Sequence, residues 1–230
     1  MSRYHHLAWS CLFATTSVFA GTTFEFTAEI YGQTASSGQL AAGTGTHTVL
    51  DLYLTNNSGD DLKLLNLYNM NISLDQGSFV HDDASTTGGN WSATYNTLGG
   101  NVAIDSFVTM GAMNGSDPFV STLDLNFDGA IAGSVSTDAG WYNADPTNGQ
   151  GLVDAGGRVM VGRFVVMNDL ATDTSFTVSG DLSYNFQVPG VYFDNDSQVF
   201  TMPSMTSVVP SPVGALAFAA FGLAGRGRRR

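Results

Sequence analysis

From Thr23 onward, the dominant hydrophobic period of the chain is two residues. In the stretch TFEFTAEIY, Phe24, Phe26 and Ile30 share one side and the two glutamates share the other. Successive side chains of a β-strand point to opposite faces of a sheet, so this alternation predicts strands with one buried face. The stretches HTVLDLYLTN and SFTVSGDLSYNFQV repeat the pattern. The stretch RVMVGRFVVM is more evenly apolar, which indicates a strand covered on both sides.

Short clusters of Gly, Asn, Asp and Ser separate these predicted strands, and such clusters are typical of tight turns. They are NNSGDD at 56–61, STTGGN at 85–90, LGGN at 98–101 and DAGG at 154–157. The central region shows no helical periodicity over the length of an ordinary helix. We therefore expect an all-β fold over residues 21–205, an antiparallel β-sandwich of the jelly-roll or immunoglobulin/cohesin-like kind.

The charges of this central region are almost all negative. Its only bases are Lys63, Arg158 and Arg163, and it holds all twenty acidic residues, so its net charge is −17 against −12 for the whole chain. Such a surface repels nucleic acid and anionic lipid, which excludes a nucleic-acid-binding role. The single cysteine, Cys11, lies before this region, so the domain is expected to fold without disulfides.

The first twenty residues, MSRYHHLAWSCLFATTSVFA, have the layout of a secretory signal peptide. Arg3 supplies the positively charged n-region, Leu7 to Phe19 form the apolar stretch, and Ala20 is the small residue before the expected cleavage site. We expect a signal helix that delivers the chain to the secretion translocon and is cut by signal peptidase between Ala20 and Gly21. The domain that follows residues 1–20 is then exported.

The chain ends in VVPSPVGALAFAAFGLAGRGRRR, an apolar run between a proline pair and an arginine cluster. As a helix, the run from Val213 to Ala224 would be about 18 Å long, whereas the hydrocarbon core of a bilayer is about 30 Å thick. This difference favours transient membrane insertion over a permanent span. The terminal arginines would remain on the cytoplasmic side.

This ending resembles the PEP-CTERM sorting signal, which has a Pro-Glu-Pro-like motif, a short apolar helix and a terminal arginine cluster. Ser211 stands where that family usually has Glu, and the Val-Pro-Ser-Pro motif looks like a planctomycete-type variant. The residues that match the signal are Pro210, Ser211, Pro212, Arg226, Arg228, Arg229 and Arg230.

The resemblance implies that residues 206–230 are recognised by an exosortase-like membrane enzyme and that the protein is then released or attached at the cell surface. Sorting signals of this kind are carried by ectodomains of many kinds, so the resemblance implies a route and not an activity. The segments DSFVTMG, GWYNADP and RVMVGRFVV also look like β-sandwich ectodomains of such proteins, which lack a defined activity. The first hypothesis is thus a structural or adhesive protein of an exopolysaccharide-containing biofilm matrix, not an enzyme.

The segment DLNFDGAIAGSV resembles the start of a calcium-binding loop. Asp124, Asn126 and Asp128 would supply oxygen ligands from alternate positions, and Gly129 would allow the sharp turn. Val135 stands where the closing carboxylate is expected, which argues against a complete EF-hand. Two alternatives remain: a looser Ca²⁺ site completed by Asp138 or another loop, and an ordinary turn between strands that is rich in Asp, Asn and Gly.

A second acidic segment, YFDNDSQ, contains Asp194, Asn195 and Asp196. Asp and Asn favour turns because their short side chains hydrogen-bond to the nearby backbone. We therefore expect a hairpin turn at these residues and a strand that begins after them, at Gln198.

Three aromatic residues are candidates for contact with a glycan, because a flat aromatic ring packs against the C–H face of a sugar. They are Trp91, Trp141 and Tyr142. The alternative is that they belong to the core or hold loops in place. The second functional hypothesis is therefore a carbohydrate-binding module with a Ca²⁺-stabilised loop.

A secreted hydrolase and an ice-binding protein are weaker hypotheses. The chain has no nucleophile elbow, zinc-protease motif or phosphate loop. The alternating threonines of GTGTHT form only a short row, and threonine is common in strands for reasons unrelated to ice.

Overall fold

A computed structural model describes residues 23–35, 38–81, 91, 101–111, 122–123, 138–144, 149–170, 172–185 and 190–204. Within these residues the chain is all-β, with one 3₁₀ turn at Val102–Ile104 and no α-helix. The strands are β1 (Phe24–Gln33), β2 (His47–Asn56), β3 (Lys63–Leu74), β4 (Phe107–Val108), β5 (Thr122–Leu123), β6 (Ala139–Tyr142), β7 (Arg158–Met167), β8 (Thr174–Asn185) and β9 (Val191–Met202).

The strands form two antiparallel sheets, as the alternation predicts. The four-stranded sheet has the order β1-β2-β7-β4, and the five-stranded sheet has the order β5-β6-β3-β8-β9. The prediction of an all-β, antiparallel fold is therefore confirmed for the described residues. The expected signal helix and the expected C-terminal helix lie outside them.

The inward faces of the two sheets share one hydrophobic core. Leu50, Leu52 and Leu54 of β2 enter it from the four-stranded sheet, and Phe176 and Leu182 of β8 enter it from the five-stranded sheet. These residues have the two-residue spacing seen in the sequence, so the faces predicted for β2 and β8 are confirmed.

Strand β7 is buried on both faces, as its evenly apolar sequence predicts. Val161 and Phe164 pack into the main core, whereas Met160 and Val165 pack into smaller clusters on the other face of the sheet. Ile104, in the 3₁₀ turn, contributes to this outer packing. The four-stranded sheet is therefore covered in part on its outer side.

The expected hairpin turn at Asp194–Asp196 is wrong, because these residues lie inside strand β9 and pair with β8 without a break. Asp194 Oδ2 accepts hydrogen bonds from the backbone N–H groups of Thr23 and Phe24 at 2.7 and 3.1 Å. Asp196 Oδ2 accepts one from the N–H of Phe26 at 2.7 Å. The carboxylates thus bind the free edge of β1 instead of their own backbone, and they join the two sheets at this edge.

Candidate functional site

The outer face of the five-stranded sheet brings together residues from four strands in one cross-strand row. The register places Asn66 of β3 beside Tyr142 of β6 and beside Ser183 of β8. Ser183 in turn lies beside Phe193 of β9. Directly opposed residues of antiparallel strands point to the same face. The 2.5 Å hydrogen bond from Ser183 Oγ to Asn66 Oδ1 agrees with this arrangement.

A second row lies next to the first and has the same order of residue types. Leu152 forms an isolated bridge with Lys63, which pairs with Asn185 of β8. Asn185 pairs with Val191 at the start of β9. Each row thus has polar residues between two apolar or aromatic ones, and in the first row Thr122 of the edge strand β5 pairs with Tyr142 on its other side.

We call the four central residues, Lys63, Asn66, Ser183 and Asn185, the polar floor. We call the four outer residues, Tyr142, Leu152, Val191 and Phe193, the apolar flanks. The flanks are the most exposed part of the site, since Phe193 is 69% exposed and Tyr142 is 41% exposed. Tyr142 and Phe193 lie three strand spacings apart, which is about 14 Å.

The rest of this face continues mainly with polar side chains toward the other end of the strands, together with the ring of Tyr68 and the apolar Val199, which is 60% exposed. These outward residues are Tyr68, Asn71, Ser73, Ser175, Thr177, Ser179, Asp181, Asn195, Ser197, Val199 and Thr201. Asp181 Oδ2 accepts a 2.7 Å hydrogen bond from Nδ2 of Asn69. Burial, and after it the nearby Asp181 carboxylate, raises the pKa of the Tyr68 phenol.

The face is nearly free of net charge although the chain is strongly acidic. At the outward positions of β3, β6, β8 and β9, Lys63 is the one base and Asp181 is the one acid. The chain as a whole has a formal net charge of −12. The chemistry that this surface offers is therefore hydrogen bonding by hydroxyl and amide groups, together with the two exposed rings of Tyr142 and Phe193 and the partly exposed ring of Tyr68.

The structure places two of the three candidate glycan contacts in the core. Trp91 is 1% exposed and Trp141 is 0% exposed. The indole of Trp141 donates a 2.9 Å hydrogen bond to the carbonyl of Thr109, and Trp91 packs edge-on against Phe79. A buried indole cannot present its face to a sugar ring, which corrects the expectation that these tryptophans contact a glycan.

Tyr142 lies on the exposed face that carries the polar floor, and its role in glycan contact stays a prediction. Its neighbour Trp141 points the opposite way, into the core, as adjacent residues of a strand must. Phe193 is not among the candidates that the sequence predicts, because the composition of YFDNDSQ predicts a turn. The sequence of β9 carries no hydrophobic alternation that could have identified this face, because the inward positions hold Asp194, Asp196 and Gln198.

The outer face of the four-stranded sheet holds a buried ion pair. Arg163 donates from Nε and Nη2 to the two carboxylate oxygens of Asp51 at 2.7 and 2.8 Å, and the phenol of Tyr31 donates to Asp51 Oδ2 at 3.2 Å. Burial alone would lower the pKa of the Arg163 guanidinium, but its hydrogen bonds to Asp51 and that carboxylate's charge raise it overall. The side chains are almost completely buried, so this pair stabilises the sheet and offers no accessible site.

His81 and Asp105 form a second buried titratable pair, with 3.8 Å between Nδ1 and Oδ1. The imidazole packs edge-on against Trp91 at a ring distance of 4.4 Å. Both side chains are buried, so a ligand in solvent does not reach them. This pair belongs to the packing around Trp91.

No group of three or more His, Cys, Asp or Glu side chains in the described ranges is placed to hold a metal ion. The predicted calcium ligands Asp124, Asn126 and Asp128 lie outside those ranges, as do the residues of the cleavage site and of the sorting segment. In the part of the chain that the structure covers, no helix has the length and apolarity needed to cross a membrane.

Comparison with protein-family models finds no family that matches this chain, and comparison with curated proteins finds no significant match. The function therefore has to be argued from the surface itself.

Proposed function

We propose that this chain is an exported protein of the cell envelope or extracellular matrix that has a structural or adhesive role and binds extracellular polysaccharide. Its central region is proposed to be a two-sheet β-sandwich of the jelly-roll or immunoglobulin/cohesin-like kind. The observation that carries the proposal is the outer face of the five-stranded sheet, which is nearly free of net charge and exposes Tyr142 and Phe193.

Polysaccharides need the two kinds of contact that this face offers. Their hydroxyl groups donate and accept hydrogen bonds, and the C–H faces of their rings pack on aromatic side chains. Asn66 and Asn185 provide amide groups between two exposed rings. Ser183 is buried, at 3% exposed, and its hydroxyl holds the amide of Asn66 in place. An extracellular matrix is where a chain with export and sorting signals would meet such ligands.

The route to that location is proposed from the two ends of the chain. Residues 1–20 direct secretion, and residues 206–230 hold the protein briefly in the membrane until an exosortase-like enzyme acts on them. Intact-mass measurement of protein extracted from the cell surface tests this route. We expect the mass of a chain that lacks residues 1–20 and the terminal arginines, and a mass that includes Arg230 would contradict processing.

Binding is tested by affinity electrophoresis of the extracted protein in gels that contain different polysaccharides. We expect at least one polysaccharide to retard the protein. If none does, whether neutral or anionic, the proposed binding role is wrong, while the sorting route is judged separately by mass.

A further inference from the structure

We infer that the ligand of this face is a neutral polysaccharide that crosses the strands of the five-stranded sheet, with one sugar ring on Tyr142 and another on Phe193. The inference rests on the proposed function, and it adds the class of ligand, its direction and its minimum length.

The distribution of charge argues for a neutral ligand. The outward positions of β3, β6, β8 and β9 carry one base, Lys63, and one acid, Asp181, which balance each other. The surrounding protein is strongly acidic, so an anionic polysaccharide would be repelled before it reached the face. A cationic ligand would find no cluster of carboxylates there, because Asp194 and Asp196 point inward to the edge of β1.

The arrangement of residue types argues for a ligand that crosses the strands. Tyr142, Asn66, Ser183 and Phe193 form one continuous row at right angles to the strands. The two rings can each hold the C–H face of one sugar. Between them, the partly exposed Lys63, Asn66 and Asn185 face the hydroxyl groups of the intervening sugars, while Ser183 is buried and orients Asn66. A ligand that ran along the strands would meet only one of the two rings.

The same arrangement argues against a second copy of the chain as the occupant. Protein interfaces have an apolar centre and a polar rim. Here the order is reversed, because the polar floor is central and the apolar flanks lie at both sides. Packing two such faces together would bury Lys63 and the amides of Asn66 and Asn185 in the middle of the interface.

The separation of the two rings sets a minimum length for tight binding. About 14 Å separates Tyr142 from Phe193, which is more than a single sugar ring covers. A monosaccharide therefore occupies one ring at a time. An oligosaccharide long enough to reach both rings makes the second contact without a second loss of translational and rotational entropy. Affinity should rise with ligand length until both rings are covered.

The test uses the surface-extracted protein in gels that contain hydroxyethylcellulose, dextran or galactomannan as neutral ligands and alginate as the anionic one. The variants are Tyr142→Ala, Phe193→Ala and the double variant, with Phe193→Tyr as the conservative replacement. Met167→Ala is the matched control, because Met167 is an exposed apolar residue on β7 of the other sheet. Circular dichroism of each variant establishes that it is folded.

We expect a neutral polysaccharide to retard the wild-type protein and the Met167→Ala variant equally. Each alanine variant on the face should bind about three- to tenfold more weakly, and Phe193→Tyr should retain binding. Oligosaccharides of the same neutral polymer should compete more strongly as their length increases.

If a neutral polymer retards the double variant as strongly as the wild type, the assignment of the binding site to this face is wrong, while the proposed function stands. Retardation by alginate alone would overturn the neutral class. Dimerisation that Phe193→Ala abolishes would identify the face as an interface between copies and would also overturn the inference.

Discussion

The carboxylate of Asp196 accepts a 2.7 Å hydrogen bond from the backbone N–H of Phe26, across the edge where the two sheets meet. The carboxylate of Asp194 likewise accepts hydrogen bonds from the backbone N–H groups of Thr23 and Phe24. Strand β1 is the outer strand of its sheet, and the outer strands of sheets leave backbone groups without a ladder partner. Two side chains of β9 therefore supply the acceptors that a neighbouring strand would otherwise provide.

Replacing Asp196 tests this contact. We expect Asp196→Ala to lower the free energy of unfolding by about 1–3 kcal/mol, because the partly buried N–H of Phe26 loses its acceptor. Asn195→Ala is the control, since that side chain points to the opposite, exposed face of β9. Urea unfolding provides the measurement, and equal midpoints for the two variants would contradict the role of the carboxylate.

The two arginines of the four-stranded sheet should differ in their importance for stability. Arg163→Leu leaves the carboxylate of Asp51 buried without its bidentate partner, so we expect a loss of about 3–5 kcal/mol. Arg158 pairs with Glu29 at 2.6 Å in a more exposed position and lies over the ring of Tyr53, so Arg158→Leu should cost about 1 kcal/mol. Similar losses in the two variants, measured by chemical denaturation, would contradict this difference.

The phenol of Tyr53 should make the fold sensitive to alkali. Its burial, and after it the Asp51 carboxylate, raises its pKa to about 12, compared with an ordinary value of 10.0. The folded state therefore holds this proton more tightly than the unfolded chain does. The contribution to stability is complete below pH ~10 and is lost as the pH rises from there through about 12.

We expect Tyr53→Phe to reduce the fall in unfolding free energy between these two pH values. Denaturation curves measured across this range for both proteins provide the comparison. An identical alkaline decline in the variant and the wild type would show that this phenol is not responsible.

Trp141 and Tyr142 are adjacent in the chain, but they should respond in opposite ways to mutation. Trp141→Phe removes the hydrogen bond to the Thr109 carbonyl and leaves unfilled space in the core, so it should reduce stability by about 1–3 kcal/mol and leave polysaccharide binding unchanged. Tyr142→Ala should weaken binding with little effect on stability. Loss of binding in a folded Trp141→Phe protein would contradict the assignment of the two faces.

Periodicity was enough to predict which residues of several strands point inward. The leucines of β2 and the apolar residues of β8 follow the pattern without interruption, so their burial is readable from the sequence. The prediction for β9 was wrong at Asp194 because acidic residues inside a strand look like a turn when their hydrogen-bond partners are unknown. Those partners are more than 160 residues away in the chain, which no local pattern reveals.

The candidate site could be predicted only in small part. Tyr142 has the residue type expected of a sugar contact, but its proximity to Phe193 depends on the pairing of four strands. Strand β3 also carries a register shift between Leu64 and Asn66, and this shift places Asn66 on the outer face. Insertion or deletion of one residue at that point would move the following side chains to the opposite face of the sheet. The local sequence pattern does not predict such register shifts.

The hydrogen bond between Ser183 and Asn66 has a direction, and that direction constrains stereochemistry at the proposed binding surface. The Oδ1 atom of Asn66 accepts the hydroxyl proton of Ser183, so the amide of Asn66 faces other partners as a donor. Because the Nδ2 group of Asn66 is held in one orientation, it hydrogen-bonds best to a sugar oxygen that lies in one particular direction. Two sugars that differ only in whether one hydroxyl is axial or equatorial would therefore meet this surface with unequal affinity.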